Sequence, residues 1–164
     1  MDGSFALEHR HQFGGFSKMV LGAILVVACL SPALDACPLE LPTTTVSING
    51  HQLVVEVALS PQAHTCGLSH RSHLDENRGM LFVFSKPAVR TFWMKNTWIP
   101  LSIAFLDAAG TIINIATMRP DQTDELYHSH RPATYALEVN QGWFNDRGVQ
   151  TGHMVLMAPP PRQP

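Results

Sequence analysis

The string Trp93-Met94-Lys95-Asn96-Thr97 gathers more binding chemistry than any other stretch of the chain. On an extended strand, Trp93 and Lys95 point one way and Met94 and Asn96 the other. An indole beside an ammonium, an amide and a hydroxyl suits a polar ligand with an apolar face, such as a sugar or a peptide. Trp93 supplies stacking area, and Asn96 and Thr97 supply directional hydrogen bonds. An architectural account competes. Asn96 and Thr97 then satisfy backbone groups at a strand end, and Trp93 fills the core. The sequence leaves both accounts open.

Other residue types point to other chemistry, each with a plainer reading beside it. His128-Ser129-His130 puts two imidazoles on one face of an extended segment, half of a metal site, with His64, Cys66, His70 and His73 as partners. No ligand spacing of a known metal motif occurs, so the histidines read as solvated loop residues, and no metal or other cofactor is expected. Cys66 lies near His64 and His70, as a thiolate and base for acyl transfer would, but no nucleophile motif surrounds it. Asp107 and Glu138 are a conceivable carboxylate pair for glycoside chemistry. A turn role for Asp107 and a solvent face for Glu138 explain them as well. Arg71 and Arg78 read as local ion-pair partners of Asp75 and Glu76.

These residues need elements to position them, and period-2 runs dominate. Residues 43–48 and 51–59 flank Asn49-Gly50, which supplies the positive φ values of a type I′ hairpin turn. Ser60-Pro61 reads as the N-cap and first residue of a helix to about Leu68. Met80 to Phe84 is apolar on both faces, so it belongs in the middle of a sheet. Strands follow at 89–94, 101–107 and 111–118. A polar loop spans 119–131, and a further strand 133–139. Residues 141–147 form a short helix ending at Gly148, on which Trp143 and Phe144 clamp one end of the fold. A last strand covers 153–158. No strand alternates with a long helix, so a doubly wound sheet is excluded. The expectation is a mainly β fold, a compact antiparallel β-sandwich or jelly-roll-like barrel with one or two short helices.

Composition fits one ordinary domain. The chain has 164 residues, 45% of them apolar and 15% charged, with 11 Lys plus Arg against 13 Asp plus Glu. That balance gives no support for a nucleic-acid surface. Met19 to Leu30 is an apolar run too short to cross a bilayer but long enough for a secretory signal. The reading is a signal peptide over residues 1–36, cleaved after Ala36. A lipobox at Val26 to Cys29 is the alternative, with Cys29 as a lipid anchor, and a start codon downstream of Met1 fits the long leader. Residues 37–43 are then a linker, 44–158 the β domain and 159–164 a disordered tail. Export makes a disulfide between Cys37 and Cys66 possible. Their spacing does not show that they approach, and Cys66 as a small buried apolar residue is the plainer alternative.

Gly79 to Phe84, Phe92 to Thr97, Ile99 to Asp107 and Tyr135 to Phe144 stand in an order and spacing that resembles the family called domain of unknown function 192. The resemblance runs from about Thr44 to Met157. It implies a jelly-roll-like β-sandwich and an N-terminal signal, and it brings no reaction. Ser69, Ser102 and His153 depart from it. Many relatives carry Met at the first position and Asp at the other two, which weakens acid–base or metal schemes built there. The expected function is a periplasmic, non-catalytic envelope binding or accessory module with its patch at Trp93, Lys95, Asn96 and Thr97. Its partner would be a carbohydrate or peptide of the envelope. The alternative is a metal-binding protein or hydrolase-type enzyme using His and carboxylate side chains near the same cleft.

Overall fold

The computed structural model describes residue 37 and residues 39–157. The expected leader, the anchor at Cys29 and the tail lie outside the described residues. The elements run β1 (Thr43–Ile48), β2 (His51–Ala58), α1 (Pro61–Cys66), β3 (Arg78–Ala88), β4 (Thr91–Phe92) and β5 (Leu101–Leu106). They continue with β6 (Ile112–Met118), β7 (Tyr127–His128), β8 (Ala133–Asn140), α2 (Trp143–Asp146) and β9 (Val155–Met157).

Local signals account for much of this. Asn49 and Gly50 take φ values of 49° and 79°, so β1 folds back on β2 with Ile48 opposite His51. Ser60 Oγ accepts from the Ala63 N–H at 3.1 Å and starts α1 with Pro61 behind it. Asp107 Oδ1 accepts from the N–H groups of Ala109 and Thr111 and turns β5 into β6.

Seven strands form one curled sheet in the order β6-β5-β8-β3-β2-β1-β9, and β4 pairs with β7 in a small separate ribbon. The sheet is a half-barrel. Its edge strands β6 and β9 meet at one end through a bridge between Thr111 and Met154. There the Ile112 N–H donates to His153 O at 2.9 Å and the Val155 N–H to Gly110 O at 2.9 Å. The mainly β class is therefore found, while the wholly antiparallel sandwich is corrected. The long strands lie in one sheet, and β2 and β3 run parallel. A parallel neighbour needs a crossover, and residues 59–77 with α1 provide it.

Both faces of the sheet are covered, which explains why every residue of β5 is buried. Leu53, Val55, Leu81, Ala104, Leu106, Leu137 and Val139 form the inner face, closed by Trp143, Phe144 and Val149. Met80, Phe82, Leu101, Ile103, Phe105 and Ala136 form the outer face, covered by Leu68 of the crossover, Met94, Ile99 and Tyr127. Gly79 of β3 leaves no room for a side chain beside β8. A Cβ there would stand 2.4 Å from the Glu138 carbonyl oxygen.

Candidate functional site

The expected strand over 89–94 is shorter than its pattern suggests. Thr91 and Phe92 pair with His128 and Tyr127, and the chain then leaves the ribbon. β7 was hidden in the segment expected to be a polar loop. Beyond Phe92 the chain turns, with the Thr97 N–H donating to Met94 O at 3.0 Å and Asn96 at φ 57°. Two other segments hold this turn. The Asn96 N–H donates to Asp121 Oδ1 at 3.1 Å. The His70 N–H donates to Asn96 O and the Asp121 N–H to Thr97 O, both at 2.8 Å.

The turn replaces strand alternation with a different sorting. Met94 and Thr97 are buried, while Trp93, Lys95 and Asn96 face solvent. Met94 enters the outer core and anchors the loop. Trp93 is 53% exposed. Lys95 Nζ stands 5.7 Å from the centre of its ring, within cation–π reach. Trp98, also about half exposed, meets the His70 ring edge-on at 5.6 Å.

Beneath Trp93, Lys95 and Thr97 lies a cavity of about 30 Å³, bounded by Leu68 and Ser69 of the crossover and by Glu138. A wider groove of about 310 Å³ continues past Phe92 and Phe84 to Arg90, whose guanidinium lies 3.8 Å over the Phe84 ring.

Glu138 is the residue that sequence reasoning misplaced. It was expected on a solvent face, and it is 4% exposed. On β8 it sits between Met80 of β3 and Ile103 of β5. Its alternation with Leu137 and Val139 was read correctly, but the opposite face is covered too. Loss of solvent raises its carboxyl to about 8, so it holds its proton at neutral pH. Its carboxyl has no hydrogen bond or ion pair among the described residues, and Glu138 lines the cavity under Trp93. The one available signal was a lone acid in the mostly apolar strand Ala133 to Val139.

The metal candidates are not brought together. Among the described residues no three His, Cys, Asp or Glu stand close enough to hold an ion. His64 Nε2 donates to Ala58 O at 3.0 Å and Val83 O at 3.1 Å, clamping α1 to the parallel strand pair. His73 reaches Asp75 at 3.1 Å, and His128 Nδ1 shares a hydrogen bond with Thr91 Oγ1 at 3.0 Å. The His130 side chain is exposed, while its backbone N–H donates to Asn114 Oδ1 at 3.0 Å.

Cys66 is bonded to Cys37, with Cα atoms 5.4 Å apart, so the thiolate–histidine scheme is corrected. The carboxylate pair fails on distance. Asp107 lies four residues beyond Ile103, the partner of Glu138. That is about 13 Å along a strand, beyond the separations glycosidases use. The arginines are corrected as well. Arg71 holds Glu56 of β2 with both terminal nitrogens, at 2.5 and 2.8 Å, and Glu76 is taken by Arg147 at 2.7 Å.

Fold and site together define a class, a small curled-sheet β protein whose outer face carries a tryptophan–lysine corner over a buried acid. Residues 44–157 match the family DUF192, described as Uncharacterized ACR, and the chain belongs to that family. No curated protein matches the chain. Two solved structures are similar. One is a Sinorhizobium meliloti protein proposed to be a transcription regulator, 31% identical with a TM-score of 0.70, covering 73% of this chain and 97% of its own. The other is a Novosphingobium aromaticivorans protein of unknown function, 31% identical with a TM-score of 0.66, covering 70% of this chain and 85% of its own.

Proposed function

We propose that this chain is an exported accessory protein of the cell envelope that binds a ligand or partner through Trp93, Lys95, Asn96 and Thr97 without transforming it. The observation that carries the reading is the half-exposed indole with the Lys95 ammonium 5.7 Å from its ring, standing over a cleft. Large aromatics at such corners supply contact area at low entropic cost. Met94 and the hydrogen bonds to Asp121 and His70 set the loop beforehand, which lowers the cost of binding. The near-balanced charge favours a neutral or weakly charged partner over nucleic acid, whatever the proposed role of the Sinorhizobium relative.

Export is part of the same proposal. It is supported by the apolar run before Ser31 and by the Cys37–Cys66 disulfide, which persists in oxidising compartments. The test immobilises the full chain and its Trp93→Ala and Lys95→Ala variants against neutral oligosaccharides and short peptides. Retained binding in the Trp93→Ala variant would remove the patch. Recovery of uncleaved, unlipidated full-length chain from the periplasm would remove the cleavage reading, and recovery of the chain from the cytoplasm alone would remove the export reading.

A further inference from the structure

Six buried polar residues stand out from the described core: Ser69, Thr97, Ser102, Asn114, Ser129 and Glu138. Four have good partners. Ser69 Oγ donates to Cys66 O at 2.6 Å, and Ser102 Oγ accepts from the Gly142 N–H at 3.1 Å. Asn114 donates to His128 O at 3.1 Å and accepts from the His130 N–H at 3.0 Å. Ser129 Oγ accepts from the Arg90 N–H at 2.8 Å. Thr97 Oγ1 reaches Lys95 O only at 3.5 Å, the limit of a hydrogen bond, and Glu138 has no partner among the described residues. These two under-used groups line the same cavity, under Trp93. Buried polar groups are normally paired, so two such groups facing one space mark a place for a third party.

We propose that Glu138 and Thr97 together receive one hydroxyl of a carbohydrate whose ring lies on Trp93, making Glu138 the specificity-determining residue of the patch. The proposal rests on the binding role argued above and names its ligand class. The cavity has room for at least one water-sized group, so a hydroxyl fits it. The chemistry agrees. A neutral carboxyl is one donor with acceptor capacity left over, and a hydroxyl is its complement. The C–H face of a pyranose covers an indole while its hydroxyls project past the ring edge.

Burial keeps the acid protonated to about pH 8, so it can donate. A ligand that seals the cavity removes its remaining access to water, so the neutral form binds best and affinity falls as pH rises past that value. The other titratable groups lining the cavity are Lys95 of the loop and His64 of α1, whose Nε2 is committed to Ala58 O and Val83 O. Met80 and Ile103 flank it on β3 and β5.

The test titrates the full chain with maltotriose, cellotriose and tri-N-acetylchitotriose, and with trialanine as a peptide probe, at about pH 6 and about pH 9.5. At least one sugar should bind, trialanine should not, and affinity should be about tenfold or more lower at the higher pH. Glu138→Gln should keep the low-pH affinity within a few fold and abolish the pH dependence. Glu138→Leu should lose about tenfold or more at both. Sugar binding that needs Trp93 but is indifferent to Glu138→Leu, or a pH dependence that survives Glu138→Gln, would overturn the role of Glu138 and leave the patch standing. Trialanine bound in place of sugars would overturn the ligand class alone. Binding of no probe, or binding unaffected by Trp93→Ala, would overturn both. One readout needs no variant. In carboxyl ¹³C NMR a saturating sugar should move the Glu138 midpoint up by about one pH unit or more, and an unmoved midpoint would overturn the proposal.

Discussion

Trp143 and Trp93 are built from the same parts and used in opposite ways. Each has a cation over its ring, Arg147 at 4.6 Å and Lys95 at 5.7 Å. Trp143 is 2% exposed. Its Nε1 donates to Asn77 Oδ1 at 3.2 Å, and Arg147 is fixed in turn by Glu76 at 2.7 Å. The indole N–H and the guanidinium of that corner both have partners inside the protein, and the indole closes the inner core. At Trp93 the indole face and the ammonium are turned outward, and the acid below them is unpartnered. A cation over an aromatic ring is therefore not a functional sign by itself. What separates the two corners is whether the surrounding polar groups are already satisfied.

The largest expected effect breaks the comparison at its buried end. Trp143→Ala should lower the unfolding free energy by about 3–5 kcal/mol, as for other large-to-small changes in cores. Trp93→Ala should change it by about 1 kcal/mol or less, with urea denaturation as the measurement. Equal losses would mean that Trp93 is structural too.

The disulfide sharpens the contrast next, because Cys66 lines the cavity beside Trp93. Cys37 and Cys66 are 29 residues apart, and replacing both with Ala should cost about 3–4 kcal/mol by the loop-entropy relation. A loss near zero in denaturation would show that the cross-link adds nothing to this side of the molecule.

Glu138 comes third, through pH. The unfolded acid loses its proton near 4.5 and the folded one near 8. The folded state thus holds more protons across that window, so stability is full below about pH 4.5 and declines until about pH 8. The span is on the order of a few kcal/mol, and Glu138→Leu should flatten it in denaturation measured across pH. An unchanged slope would assign the titration elsewhere. The smallest effect concerns the two cations. Arg147→Ala should cost about 1–2 kcal/mol and Lys95→Ala less than about 0.5 kcal/mol, because only the first cation is held in place and partly buried.

Several features of this protein are local and so were legible in the chain. The Asn49-Gly50 turn, the Ser60-Pro61 helix start, the Asp107 turn and the alternation of β8 depend on residues a few positions apart. The string from Trp93 to Thr97 was recognisable by residue type, though Asn96 in a left-handed conformation re-sorted which side chains face out. Other features are contacts between distant residues, which propensity and spacing do not encode. The parallel pairing of β2 with β3 depends on where a nineteen-residue crossover lands. The approach of Cys37 to Cys66 depends on α1 packing beside the chain's entry into the sheet. The burial of Glu138 is the clearest case. Alternation placed it opposite Leu137, but only the loops from Leu68 and Met94, folded over the outer face, decided that this face is covered.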